Sequence, residues 1–216
     1  LGATPLADVA ADLARRAGFE TCNADALTAM VEGFVLAGGE TARGALEALM
    51  RAYGFFARVE DGVLTFRPLD AGAPVALDPA ACVPGRQDVG RTALQGEADD
   101  APVAVRAHAL DPTRDGRAHV AEARTAAGAA RRVETISLPL ALPGEPLAVI
   151  ADEALREAGA ARDRTVLRLP PSRLAAIEPG DPATTPDGDL HRVVRVDGVE
   201  VTLQRLPRGA GRRAGL

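Results

Sequence analysis

Residues 164–206, RTVLRLPPSRLAAIEPGDPATTPDGDLHRVVRVDGVEVTLQRL, decide the fold. A short apolar run ends at Pro170, because proline donates no hydrogen bond to a sheet ladder. The sequence Glu-Pro-Gly-Asp at 178–181 predicts a sharp chain reversal. β-branched residues then alternate with Arg, Glu and Gln on both sides of Asp197-Gly198, which suits the positive φ angles of a type I′ turn. The stretch predicts a small closed or nearly closed β-barrel.

Upstream of this stretch, residues 1–70 predict a compact α/β module in which helices pack on a small sheet. Apolar residues recur at helical spacing in two segments, and an Asp-Gly pair marks a hairpin. The predicted elements are a helix over 5–17 with Thr4 as its N-cap, a short helix after Asn23, a strand over 31–36, a helix over 41–53 ended by Gly54, and a hairpin over 55–67 that turns at Asp61-Gly62.

The rest of the chain divides by composition. Residues 71–102 are rich in Gly, Pro, Ala and Asp and predict a connecting loop, whereas residues 103–206 predict a β-barrel domain with one helix over 146–158. Residues 207–216 are basic and predict a linker or tail. The expected fold class is α+β, a tube-like β-barrel with an inserted helix-plus-hairpin module.

Composition argues against several classes of function. The net charge is −5, so no overall basic field attracts nucleic acid. Aromatic residues make up 3% and Trp is absent, which leaves few stacking platforms for bases or sugar rings. All 25 basic residues are Arg, which we interpret as genomic codon bias. Cys22 and Cys82 predict two free thiols, and the chain is expected to be a piece of a longer polypeptide.

One segment has the spacing of a calcium-binding loop. Residues 111–122 place Asp111, Thr113, Asp115 and Glu122 at loop positions 1, 3, 5 and 12. Position 3 lacks an acid, and Arg residues lie beside the expected ion. The flanking sequence alternates as strands do, whereas such a loop needs helices. A hairpin turn is therefore the favoured interpretation, with Asp111, Asp115 and Glu122 as a weak candidate metal site.

Catalytic and cofactor motifs are absent from the sequence. The three histidines, His108, His119 and His191, have no metal-ligand spacing. Ser137 and Ser172 are the only serines, and neither lies in a nucleophile elbow. We predict no catalytic residue and no cofactor, and we expect a turn-stabilising role for the carboxylates of the 178–181 reversal.

Several segments together carry a resemblance. They are LADVAADLARRAGF at 6–19, LDPTRDGR at 110–117, VETISLPLAL at 133–142, and the succession LRLPP at 167–171, EPGD at 178–181 and RVDG at 195–198. This order resembles the hub region of tail-tip proteins of long-tailed, non-contractile phages, the lambda-type tip protein J family. It is especially similar to megatron, the large hub protein of gene transfer agents. Pro182 departs from the family, which continues a strand there.

The resemblance implies a structural role. Three copies of such hubs form a ring at the tail tip, β-barrel domains line the channel, and no catalytic residues lie in this region. The expected partners are two further copies of the chain, the distal tail protein, other hub proteins and the tape-measure protein. DNA would pass only in transit, and the parent chain would reach the cell envelope. The expected location is the baseplate of a virion assembled in bacterial cytoplasm.

Two other functions stay open from the sequence. The chain could be an accessory β-domain of a cell-wall-degrading glycosidase of the tail tip. It could also be a metal-binding or regulatory protein built around residues 111–122. Glycan affinity and calcium titration, respectively, would discriminate these from a hub.

Overall fold

A computed structural model describes residues 2–36, 39–69, 71–84, 90–96, 101–125 and 132–206. The fold is mixed α+β and consists mostly of sheets. The helices are α1 (Leu6–Arg16), α2 (Ala42–Tyr53), α3 (Gly144–Ala160) and the short α4 (Pro171–Leu174). The strands are β1 (Thr4–Pro5), β2 (Cys22–Asn23), β3 (Met30–Val31), β4 (Phe55–Glu60), β5 (Val63–Pro68), β6 (Val75–Ala76), β7 (Arg91–Gln95), β8 (Ala104–Asp111), β9 (Arg117–Arg124), β10 (Val133–Ala141), β11 (Asp163–Arg168), β12 (Pro182–Thr184), β13 (Leu190–Asp197) and β14 (Glu200–Arg205).

The helix boundaries follow local chemistry. Helix α2 begins where the Thr41 side chain accepts a hydrogen bond from the Gly44 amide at 3.1 Å, and it ends at Gly54 in the left-handed region with φ 65°. Helix α1 was predicted with Thr4 as its N-cap, but Pro5 occupies that position and no side chain caps the helix. The φ of −56° and ψ of 134° at Pro5 agree with the φ that the proline ring fixes and with the non-helical backbone of an N-cap residue.

Two predictions for the segment between α1 and α2 are wrong. No helix follows Asn23; instead its side chain accepts a hydrogen bond from the Asp25 amide at 3.1 Å, which forms a local turn. The predicted strand over 31–36 is reduced to β3 and an isolated bridge from Phe34 to Leu140 of β10. Tertiary pairing with β10 therefore decides the conformation of this segment.

The hairpin turns differ from one another in type. Asp61 and Gly62 both have positive φ, 50° and 83°, as a type I′ turn requires. In the β13–β14 hairpin only Gly198 has positive φ, and the central residues are Gly198 and Val199. That pattern belongs to a type II′ turn, so the prediction of a type I′ turn at Asp197-Gly198 is wrong by one residue.

The first hydrophobic core, called core 1, joins the helices to two small sheets. It contains buried residues of α1, α2, β4 and β5, and also of β8, β10 and α3. In the three-stranded sheet β8 lies between β9 and β10, with β10 parallel to it, and α3 packs against β8 and β9. Core 1 thus includes residues on both sides of the predicted connection at 71–102.

The second core, core 2, lies against a six-stranded sheet with the order β6-β12-β13-β14-β11-β7. Both edge strands, β6 and β7, come from residues 71–102, where a connecting loop was predicted. Strand β12 begins at the buried Pro182, a position that tolerates proline because the first residue of a strand need not donate to the ladder.

A closed β-barrel is not confirmed. Within the described ranges no strand pairing joins β6 to β7, so the six-stranded sheet is open. At one end of this sheet the Val83 amide donates to the Arg168 carbonyl of β11 at 2.8 Å. Among the described residues, no helix is both long and apolar enough to cross a bilayer.

Candidate functional site

A charged seam joins the helix-containing part of the molecule to the six-stranded sheet. Arg58 on β4 contacts three carboxylates: it donates to Glu60 on its own strand, lies 2.7 Å from Glu178 and donates to Asp181 at 3.3 Å. Glu178 and Asp181 belong to the chain reversal predicted from the sequence. Arg67 on β5 completes the group through Glu60 at 3.0 Å. One arginine therefore links residues 123 positions apart in sequence.

Backbone hydrogen bonds hold the reversal rigidly against β13. The Asp181 carboxylate accepts from the Glu178 amide at 2.9 Å, which is the turn-stabilising role expected for this residue. The Gly180 amide donates to the Val193 carbonyl at 2.7 Å, and the Val193 amide donates to the Asp181 carbonyl at 2.9 Å. The carboxylate that Arg58 contacts is thus fixed in position by the sheet.

Gly180 and Phe56 pack against each other beneath these charges. Gly180 has φ +99°, and a Cβ atom added there would lie 2.7 Å from the Phe56 ring. A side chain would therefore both strain the backbone and collide with the ring. The Arg58 guanidinium lies 6.0 Å from the centroid of the same ring, at the outer limit of a cation–π contact.

The seam is only partly open to water, which strengthens its charge interactions. The Arg58 side chain is 20% exposed, and those of Glu60 and Asp181 are 25% and 24% exposed. The hydrogen bond from Arg58 lowers the pKa of Glu60, and Arg67 acts in the same direction. Burial opposes the charge of Arg58, but its hydrogen bond to Glu60 and the nearby carboxylates leave its pKa raised.

A polar cleft of about 310 Å³ opens at one end of the six-stranded sheet. One face of this sheet carries Leu167, Val193 and Leu203 of core 2. Further along the same strands, towards the cleft, the same face carries polar side chains. These are Asp163 and Thr165 of β11, His191 of β13 and Arg205 of β14. Strand β7 and the β12–β13 loop form the opposite walls. One end of this face is therefore covered by the aliphatic side chains of core 2, whereas the other end lines the open polar cleft.

Acidic and basic groups alternate in this cleft. Arg205 lies 2.7 Å from Asp189, whose backbone carbonyl is 3.2 Å from His191 Nδ1. Burial lowers the pKa of His191, so the neutral imidazole is favoured. Among the residues that the structure describes, no group of three or more His, Cys, Asp or Glu side chains is placed to hold a metal ion.

The candidate calcium ligands do not converge. Asp111 accepts hydrogen bonds from the Thr113 amide and hydroxyl at 2.9 and 2.6 Å, and the hydroxyl contact lowers its pKa. Asp115 lies in the turn with φ 54°. Glu122 binds Arg106 at 2.6 Å and Arg124 at 3.0 Å. Because Asp111 pairs with Arg117, Glu122 lies five residues away along β9, about 17 Å.

The described segments thus form a helix-containing unit and an open β-sheet with exposed edges, an architecture seen in phage tail proteins. The structure matches a tail protein from Neisseria meningitidis MC58 with a TM-score of 0.61 and 17% identity, over 100% of this chain and 71% of that one. It also matches the 43 kDa tail protein of prophage MuSo2 from Shewanella oneidensis with a TM-score of 0.57 and 11% identity, over 96% and 65%.

A model of the family described as putative phage tail protein matches residues 41–199, and the chain belongs to this family. A third structural match is stronger: a chain of the virion of a native gene transfer agent particle, with a TM-score of 0.83 and 28% identity over 95% of this chain. Our chain spans about half of that chain, 47% of its length. No curated protein matches by sequence.

The central residue of the seam, Arg58, was not identified from the sequence. Its partners at 178–181 were recognised only as a turn. Arg58 carries no distinguishing local pattern, since Arg alternates with apolar residues in several strands of this chain.

Proposed function

We propose that the chain is a structural part of the baseplate of a phage-like tail, where three copies form a hub around the channel for DNA ejection. The observation that carries this proposal is the match to a chain of a gene transfer agent virion over 95% of our chain. At 28% identity the relation exceeds a shared fold. Because our chain spans 47% of that chain, the role of the whole matched protein comes to our chain only as part of this proposal.

The open six-stranded sheet supplies a physical route to assembly. Strand β7 is exposed along all five residues, and among the described residues it pairs only with β11. An edge strand of this kind offers free amide and carbonyl groups to a neighbouring chain. Packing of such sheets around an axis would complete the tube-like wall that a single copy leaves open, and a homotrimer of this kind would bury roughly 2,000 Å² or more.

The charge of the chain suits a channel through which DNA must pass. A strongly basic wall would hold DNA through many phosphate contacts. The chain has a net charge of −5, and many arginines of the described part lie within 4 Å of a carboxylate. Paired arginines present little free positive charge to a phosphate backbone. We therefore infer that DNA slides past the protein, and we propose a structural, non-enzymatic role from the family to which the chain belongs.

Electron cryomicroscopy of particles that carry a tagged copy of the parent protein tests the proposal. We expect three copies of the tag around the tail axis at the end nearest the host cell. Six copies, or a tag far from the axis, would contradict the hub role.

Peptidoglycan binding distinguishes the hub from the accessory domain of a glycosidase. As part of a hub, the 216-residue chain should not bind isolated peptidoglycan. Retention of the chain on peptidoglycan would instead support the accessory domain.

Light scattering during size-exclusion chromatography tests self-association directly. A trimer has three times the 22.3 kDa mass of one chain. The substitution Leu94→Arg places a charge on the exposed edge strand β7 and should shift the chain towards monomer. The control is Val149→Arg on the exposed face of α3, which should leave the mass unchanged. A trimeric mass for all three chains would exclude β7 from the interface, and a monomeric mass for all three would contradict self-association of this chain.

A further inference from the structure

The molecule contains two bodies that share no core residue. In the described part of the chain, the buried residues of core 1 lie between Leu6 and Ala151 of α3. Those of core 2 are Leu77 and residues of β11 and later elements. We call the parts built around core 1 and core 2 body 1 and body 2. A continuous core would resist relative motion, because close-packed interiors deform little. Two separate cores leave the orientation of the bodies to the contacts between them.

Ionic contacts cross the boundary in both directions. Body 1 supplies Arg58 to Glu178 and Asp181 of body 2. Body 2 supplies Arg192 of β13, which lies 3.8 Å from Glu157 of α3 in body 1. The packing of Phe56 on Gly180 adds an aromatic contact at the first of these points. Among the described residues, charged contacts therefore cross the seam around Arg58 and around Arg192.

The covalent connections permit a change of orientation. Between the end of β5 and the start of β6, Gly72 has φ +107° with open space where a Cβ would be. Between α3 and β11 only Ala161 and Arg162 intervene. A third connection runs from β7 in body 2 to β8 in body 1. Connecting residues of this kind can form a hinge, in which few residues absorb the change in backbone angles.

We propose that the seam is an ionic latch, and that releasing it lets body 2 swing as a rigid unit on body 1. Arg58 is the principal element, because one guanidinium holds carboxylates from both bodies. Both cores remain intact during the motion, since neither loses a buried residue. The latch would let the six-stranded sheet change its tilt without unfolding. This inference does not depend on the hub role.

Distance measurement between two spin labels tests the latch in the 216-residue chain. The labels are placed at Arg16→Cys in α1 and Arg195→Cys in β13, both exposed, after Cys22→Ser and Cys82→Ser. The unmodified seam should give one narrow distance distribution. Arg58→Met should add a second population at a different distance, while circular dichroism stays unchanged. The matched control is Arg43→Met, which removes an exposed pair within α2.

Glycine substitutions provide an independent test without changing charge. Gly180→Ala introduces a Cβ into the Phe56 ring and should open the seam from inside. Gly188→Ala is the control, since Gly188 also has positive φ, +78°, but faces open space. We expect the added distance population in Gly180→Ala alone. At a salt concentration of about 1 M the Debye length falls to about 3 Å, which screens the ion pairs. High salt should therefore also add the second distance population to the chain with the unmodified seam.

The outcomes separate a latch from a fixed joint. If circular dichroism shows that Arg58→Met is unfolded, Glu178→Gln replaces it as the charge variant in the distance measurement. This change is milder, because Glu178 is more exposed and Arg58 keeps its other two carboxylate partners. A narrow, unchanged distance distribution in the folded charge variant and in Gly180→Ala would overturn the proposal. An added population in Arg43→Met would overturn it too, since that change removes only an exposed pair within α2.

Discussion

Tyr53, the only tyrosine of the chain, reports on the packing of core 1. Its hydroxyl donates to the Met30 carbonyl at 3.3 Å, and burial, followed by the charge of Glu32, raises its pKa to about 12. The folded state thus favours the neutral phenol, and this stabilisation is lost as the pH rises from about 10 towards 12. Absorbance at 295 nm should show ionisation near pH 12 in the folded chain and near pH 10 in urea. A midpoint near 10 with native circular dichroism would contradict this.

His191 should make the chain sensitive to mild acid. Burial lowers the pKa of His191 from 6.5, and the charge of Arg205 lowers it further. The carbonyl and the charge of Asp189 and the charge of Asp187 act in the opposite direction. Because the unfolded state then binds the proton more readily, the free energy of unfolding falls as the pH decreases below about 6.5. In His191→Gln, the free energy of unfolding measured in urea should therefore change less between about pH 7 and pH 5 than in the unmodified chain. An equal slope in both chains would show that other groups dominate.

At the scale of elements, the type II′ turn of the β13–β14 hairpin makes a specific demand on Gly198. Its φ of +57° at the first central position of such a turn suits glycine, whereas an alanine there costs about 1–3 kcal/mol. Gly198→Ala should therefore lower the free energy of unfolding by about that amount. The matched change Gly159→Ala lies within α3 with open space around it, and should raise the free energy by about 0.5 kcal/mol. Urea denaturation measures both, and equal signs would contradict the turn assignment.

Elements that depend on neighbours in sequence could be predicted, and those that depend on distant partners could not. The hairpin over Asp61-Gly62 and helix α2 carry their own turn and cap residues, so their positions follow from the sequence. Strand β6 has two residues and β7 carries no alternating apolar pattern, so neither has a local signal. Their strand conformation comes from pairing with β12 and β11.

The same distinction applies to the site. The reversal at 178–181 was predicted from Pro-Gly alone, and the hydrogen bond between Asp181 and Glu178 is a local one. The contact with Arg58 exists because two separate sheets meet there, and nothing in either segment encodes that meeting by spacing. The closed barrel is not confirmed for a related reason, since alternation predicts strands but says nothing about whether the last strand pairs with the first.

At the scale of the whole molecule, two cores joined by a charged seam predict two steps of unfolding. Leu49 in core 1 and Leu203 in core 2 are both fully buried, so either change to Ala should cost about 2–5 kcal/mol in its own body. Tyr53 belongs to core 1, and the chain has no Trp. Tyrosine fluorescence therefore follows core 1 alone, whereas circular dichroism follows both bodies.

Leu203→Ala should move the urea transition seen by circular dichroism while the transition seen by tyrosine fluorescence stays in place. Leu49→Ala should move the fluorescence transition. Because the ion pairs of the seam are partly hydrated, high salt should screen them and increase the separation of the two transitions. Coincident transitions that shift together in both variants would mean that the bodies unfold as one cooperative unit, with a seam far stronger than its few ion pairs provide.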